Sequence, residues 1–78
     1  MITAAQLRAA RALAEIGQRE LAKISGLSLP TVQRMEASDG VIRCNVDSLM
    51  KLINALNSAG IVLLGGGNDG GRGVRLKQ

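Results

Sequence analysis

The stretch SGLSLPTVQRME, residues 25–36, has helical character after Ser28, yet Pro30 sits inside it. A proline in a helix interior removes a backbone donor and clashes with the preceding turn. Ser28 resolves the conflict. With Ser28 as N-cap, Leu29 and Pro30 become the first two helical positions. Backbone N–H groups there have no partner inside the helix, so a missing donor costs little. Proline also presets the helical backbone angle. The segment is therefore a helix over residues 29–37 whose leading edge carries Leu29 and Pro30.

Just upstream, QRELAKIS predicts a short helix with Leu21, Ala22 and Ser25 on its inner face. Gly26 ends it in the left-handed conformation that glycine adopts cheaply. Gln18, Ala22, Gly26, Val32 and Met35 then form one pattern. Ala22 is small where two helices cross steeply, Gly26 turns tightly, and Val32 and Met35 face back into the crossing. These are the demands of a helix-turn-helix, whose second helix is pushed outward. The unit spans about residues 18–37. The plainer alternative is any helical hairpin with a glycine turn.

The flanks extend this reading. Thr3 caps a helix running through AAQLRAARALAEI, with Leu7, Ala10, Leu13 and Ala14 at helical spacing, until Gly17 breaks it. SDGVIRC is a loop. Asn45 caps a further helix, with Asp47 in its first turn and Leu49, Leu52, Ile53 and Leu56 on one face, stopped by Gly60. IVLL and VRLK then read as two strands around GGGNDGGRG. Two strands alone are marginal in water, so this hairpin leans on the helices, pairs with another chain, or both. The expected architecture is mainly α: four to five helices with a C-terminal two-stranded β-hairpin. Residues 1–60 form the helix-turn-helix domain, and residues 61–78 a hairpin extension that serves dimerisation.

Composition narrows the function. The chain has 78 residues, enough for one small domain with a marginal core, for which a partner subunit is a reasonable expectation. It has no Phe, Tyr or Trp, which removes the aromatic stacking used on single-stranded nucleic acids. The net charge of +4 suits a polyanion without requiring one. There is no histidine and Cys44 is the sole cysteine, so neither an intrachain disulfide nor a metal site of the usual ligands is expected. The first residues lack the basic-then-apolar layout of a secretory signal, and no apolar run has the length of a membrane span. The expectation is a soluble cytoplasmic protein that needs no cofactor and is not an enzyme.

Residues 18–36, Q-x-x-L-A-x-x-S-G-L-S-x-x-T-V-x-R-M-E, resemble the Cro and lambda-repressor-type helix-turn-helix family, also called xenobiotic-response-element-like. With the flanking helices the resemblance covers about residues 3–59, and the tail looks like an extension seen on small bacterial members. It implies a lambda-repressor-like DNA-binding domain. By resemblance Gln18, opening the second helix, holds a phosphate beside the groove. Arg11 and Glu36 match the positions of a structural ion pair that fixes the recognition helix. Two departures stand out. Gly17 replaces the usual Ser or Thr before the glutamine, and Ser38 occupies the place of a glycine.

The residues divide by what they can reach. Leu29 and Pro30 meet thymine methyls at the helix tip, or Leu29 packs sideways on a neighbouring helix. Arg34, one turn beyond Pro30, suits bidentate contact with guanine N7 and O6, or else holds phosphate or water. Gln33 lies to the side and reads a base edge or holds phosphate. Ser28 and Thr31 can donate to phosphate. Arg43 grips backbone, reaches the minor groove, or is solvated.

GGGNDG, residues 65–70, satisfies G-x-G-x-x-G after a candidate strand, but no helix and no acidic residue can follow at the required distance, so a dinucleotide site is rejected. VRLK either adds to a partner's sheet edge or folds onto its own helices, and Arg72, Arg75 and Lys77 either touch phosphate or solvate an edge strand. The leading expectation is a sequence-specific regulator of double-stranded DNA, a repressor located at the bacterial nucleoid when bound. A two-fold homodimer joined through the hairpin would read inverted-repeat half-sites. The rival is an antitoxin or protein-interaction module of the same fold, with a toxin or other protein as partner and little DNA binding of its own.

Overall fold

The computed structural model describes residues 2–65 and 71–77. Residues 66–70 of the rejected G-x-G-x-x-G segment lie outside the described residues. The order of elements is α1 (Ala4–Ala14), α2 (Gln18–Ser25), α3 (Leu29–Glu36), α4 (Val46–Ser58), β1 (Ile61–Leu64) and β2 (Gly73–Leu76).

Three of the four helices start on the side chain expected to cap them. Thr3, Ser28 and Asn45 each accept the backbone N–H three residues on, from Gln6, Thr31 and Ser48. At α1 the Gln6 side chain also accepts the Thr3 N–H at 2.9 Å, which completes a capping box. Helix α2 starts from Gly17 with no side-chain cap, because glycine has none to offer. Pro30 lies in the first turn of α3, where no intrahelical donor is lost.

Helix α1 ends earlier than its sequence suggests. It stops at Ala14 and not at Gly17, with Glu15 in the left-handed region at φ 59°. The N–H of Glu15 reaches Ala12 O and that of Ile16 reaches Arg11 O, so the terminal carbonyls are satisfied in a Schellman arrangement. Ile16 thereby turns onto the core. Leu13, expected inside, lies about 120° round the helix from Leu7 and is 38% exposed, while Leu7 and Ala10 are fully buried.

Helix α2 packs on α3 and α4, α1 packs on α3 and α4, and the hairpin lies against α1 and α4. Leu7, Leu21, Val32, Ile42, Leu52, Leu56 and Ile61 form the fully buried centre. Gly26, at φ 75°, makes the turn between α2 and α3, and Leu27 N–H returns to Ala22 O at 3.1 Å. The 38–45 loop carries one of these core residues, Ile42. It is stitched to the chain start by Ile42 N–H to Ile2 O and Ala4 N–H to Gly40 O, both 3.0 Å.

The strands run antiparallel with Ile61 opposite Leu76 and Leu64 opposite Gly73. Of the two readings of the tail, the described chain shows the hairpin folded onto its own helices. Ile61, Leu63 and Val74 join the helical core. The Gln6 amide donates to Leu64 O at 2.7 Å and Gly73 O at 3.1 Å, so α1 grips both strands at once. Among the described residues no helix is long and apolar enough to cross a membrane.

Candidate nucleic-acid interface

Helix α3 is buried along one face and open along the other. Val32, Met35 and Glu36 face inward, whereas Pro30, Gln33 and Arg34 are exposed. Residues three and four apart share a helix face, so these last three form one outward surface. Leu29 is placed differently. It is half-buried and packs against the core, the sideways alternative, so only part of it is presented at the tip.

A polar ladder runs down this surface. Ser28 Oγ accepts the Thr31 N–H at 3.2 Å, the two hydroxyls lie 2.8 Å apart, and Arg34 Nη2 donates to Thr31 Oγ1 at 3.4 Å. The long Arg34–Thr31 bond is a weak restraint that a stronger acceptor displaces easily. Arg43, also exposed, stands across a groove of about 270 Å³ from Arg34, with Thr31, Cys44 and Ser48 in its walls. Two guanidiniums and two hydroxyls on one concave surface favour an anion there.

Behind the open face lies the clamp that holds it. Arg11 Nε donates to Glu36 Oε2 at 2.8 Å and Arg11 Nη2 to Oε1 at 3.1 Å. Gln18 Nε2 donates to the same Oε1 at 3.1 Å, and Arg11 Nη1 to Ile16 O at 3.2 Å. Arg8, which sequence reasoning passed over, donates to the backbone carbonyl of Glu36. One carboxylate, 4% exposed, thus ties the end of α3 to α1 and to the first residue of α2. A buried carboxylate is tolerable because it is paired and hydrogen-bonded. The same bond to Glu36 raises the Arg11 pKa above its ordinary value, against the opposing effect of burial.

Gln18 thus engages Glu36 through its amide, whereas the resemblance implies that it holds a phosphate. Its position at the start of α2, behind an uncapped Gly17, still leaves unpaired backbone N–H groups at that terminus. The structure brings Ser28, Thr31, Arg34 and Arg43 together, and separately Arg11, Gln18 and Glu36. Gln33 shares the outer face with Pro30 and Arg34, and its side chain makes no hydrogen bond among the described residues. No family model matches the chain, and no curated protein matches it.

Proposed function

We propose that the protein is a sequence-specific binder of double-stranded DNA that acts as a small transcriptional regulator. It represses by occupying its site, as a cytoplasmic homodimer joined through the hairpin. The supporting observation is the two-sided construction of α3. Its outer face carries Pro30, Gln33 and Arg34 free of the core, and its inner end is fixed by the Arg11–Glu36–Gln18 clamp. A recognition helix needs both properties, since base edges are read only by side chains that project, and discrimination needs a fixed register. The resemblance of residues 18–36 to the Cro and lambda-repressor-type family points the same way.

In this reading Arg34 and Gln33 contact bases, Pro30 and the exposed part of Leu29 meet thymine methyls, and Ser28, Thr31 and Arg43 hold phosphate. Gln18 contributes by orienting the start of α2, whose N–H groups take a further phosphate. No reaction is proposed and no cofactor is required.

Selection of bound sites from a random duplex pool tests the reading. The expected result is an inverted repeat with half-sites about one DNA turn apart, bound with an affinity that falls steeply as salt rises. A pool that yields no enrichment, with no salt-dependent duplex affinity, would replace this reading with the protein-interaction module.

A further inference from the structure

A hairpin has two outer edges, and its hydrogen-bond phase decides which peptide groups face outward. Lys77 N–H donates to Gly60 O at 2.8 Å, and the register places Val62 opposite Arg75 and Leu64 opposite Gly73. Residues 60, 62 and 64 therefore aim their peptide groups at β2, while Ile61 and Leu63 aim theirs away. On β2 the outward groups are those of Val74 and Leu76. Among the described residues no hydrogen bond reaches the outward groups of Ile61 or Leu63. Leu76 O already accepts from Arg75 Nη1 at 3.1 Å.

The edges also differ in charge. β2 carries Arg75 and is flanked by Arg72 and Lys77, whereas β1 is Ile-Val-Leu-Leu. Cations are a common guard on a sheet edge, and an uncharged aliphatic strand has none. Two-fold pairing sets an edge against itself. Two β2 edges would crowd cations against cations, and two β1 edges would not.

The surroundings of β1 suit the same occupant. Between β1 and α4 lies an open groove of about 300 Å³ walled by Ile2, Leu49, Ile53, Leu63 and Leu64. Leu64 is 39% exposed, and Met50 and Val46, one and two turns before Ile53 on α4, are 47% and 74% exposed.

We propose that the protein dimerises by antiparallel pairing of β1 with β1 of a second copy, which makes one four-stranded sheet in the order β2–β1–β1–β2. This deepens the dimer part of the proposed function and is independent of DNA. Four strands backed by helices also relieve the marginal stability of an isolated hairpin. Helix α3 lies outside the elements that hold the hairpin, so both recognition faces stay open.

The chain is short enough for chemical synthesis, with ligation at Cys44. Backbone N-methylation of Leu63 deletes an outward donor and leaves the intrachain ladder intact; N-methylation of Val74 does the same on the other edge. Sedimentation equilibrium without DNA is run across the micromolar range, with circular dichroism as a folding check. The unmodified chain and the N-methyl-Val74 chain should form the same dimer. N-methyl-Leu63 should weaken it by about 30-fold or more, from one lost interchain hydrogen bond per copy. L64K, at an exposed position, should weaken it too and covers the case in which N-methyl-Leu63 does not fold. An unmodified chain that stays monomeric overturns the dimer reading and this inference together. A dimer that survives both changes, or that fails only with N-methyl-Val74, overturns the β1 edge and leaves the dimer reading standing.

Discussion

Arg11, near the end of α1, and Glu36, the last residue of α3, meet in a two-point bridge of 2.8 and 3.1 Å. Glu36 is buried, and its second oxygen is shared with Gln18. The bridge is thus a joint between three helices, and its loss acts on the angle of α3 as well as on stability.

Replacing Glu36 by Ala strands a guanidinium with its partner gone. The expected cost is about 2–4 kcal/mol, somewhat under the range for breaking a fully buried pair from one side, because Arg11 is 26% exposed. R11A should cost at least as much, since it leaves a carboxylate 4% exposed with only the neutral Gln18 amide as side-chain donor. The Arg11 left by E36A is partly open to water and keeps Ile16 O. The double variant should be more stable than the two losses added together, giving a coupling of about 1–2 kcal/mol in a thermodynamic cycle. Additive losses would mean that the bridge holds nothing. Because the Arg11 pKa is raised, its contribution is complete below the ordinary arginine value and fades only as pH rises through the raised one. Chemical denaturation from pH 6 to pH 9 should therefore show no pH-dependent loss traceable to Arg11.

Arg34 and Arg43 face the same groove but should differ in what they do on DNA. R34A should cost about 1–3 kcal/mol per half-site on the preferred duplex and much less on random duplex, relaxing preference at one base pair in each half-site. R43A should weaken all duplexes by a similar factor and lower the salt slope of the dimer by about 2, one phosphate contact in each half-site. Fluorescence anisotropy with selected and scrambled duplexes separates the two. Identical behaviour of both variants would remove the base-reading role from Arg34.

Much of the fold was legible because its signals are local. Thr3, Ser28 and Asn45 cap from within three residues, Gly26 takes the left-handed turn, and the inward faces of α2 and α4 follow helical spacing. What escaped was long-range or carried by an atypical residue. Gln6 meets its strand partners 58 and 67 positions away, and only its capping-box spacing from Thr3 offered a local hint. Ile42 sits in a loop, where nothing in the pattern announces a core residue. The end of α1 at Glu15 was hidden because the left-handed signal there is not a glycine. Arg11 and Glu36 were paired by resemblance, since their spacing has no helical or strand periodicity. On the candidate interface, the outward set of Pro30, Gln33 and Arg34 follows from helical period alone. The partial burial of Leu29 depends on neighbours that the period does not specify.

Glu15 offers a gain in stability. It holds a left-handed conformation that costs a side-chain-bearing residue about 1 kcal/mol. E15G removes that strain, and the Schellman hydrogen bonds stay in place. The expected stabilisation is about 0.5–1 kcal/mol, an increase of a few degrees in Tm for a domain of this size. G26A is the mirror test. Its added Cβ would meet nothing within 4 Å, so any loss, expected at about 1–2 kcal/mol, comes from the φ of 75°. If G26A proves neutral, the strain argument at both turns fails.

Gln6 gives the most directional prediction because its two ends do opposite work. Oε1 accepts the Thr3 N–H, and Nε2 donates to two strand carbonyls, in a side chain 5% exposed. Q6A should cost about 1–2 kcal/mol, the combined loss of the box and the pin. Glutamate is an equally good capping-box residue, so Q6E keeps the first contact. It also turns a carboxylate toward Leu64 O and Gly73 O, which cannot donate to it. Q6E should therefore be less stable than Q6A at neutral pH. Its carboxyl pKa should be raised, and protonation supplies the missing donor, so the deficit should shrink as pH falls toward 4. Amide exchange should show the loss concentrated in β1 and β2, with α3 protected as before. A Q6E chain as stable as the parent at neutral pH would mean that the hairpin is held by its apolar contacts alone.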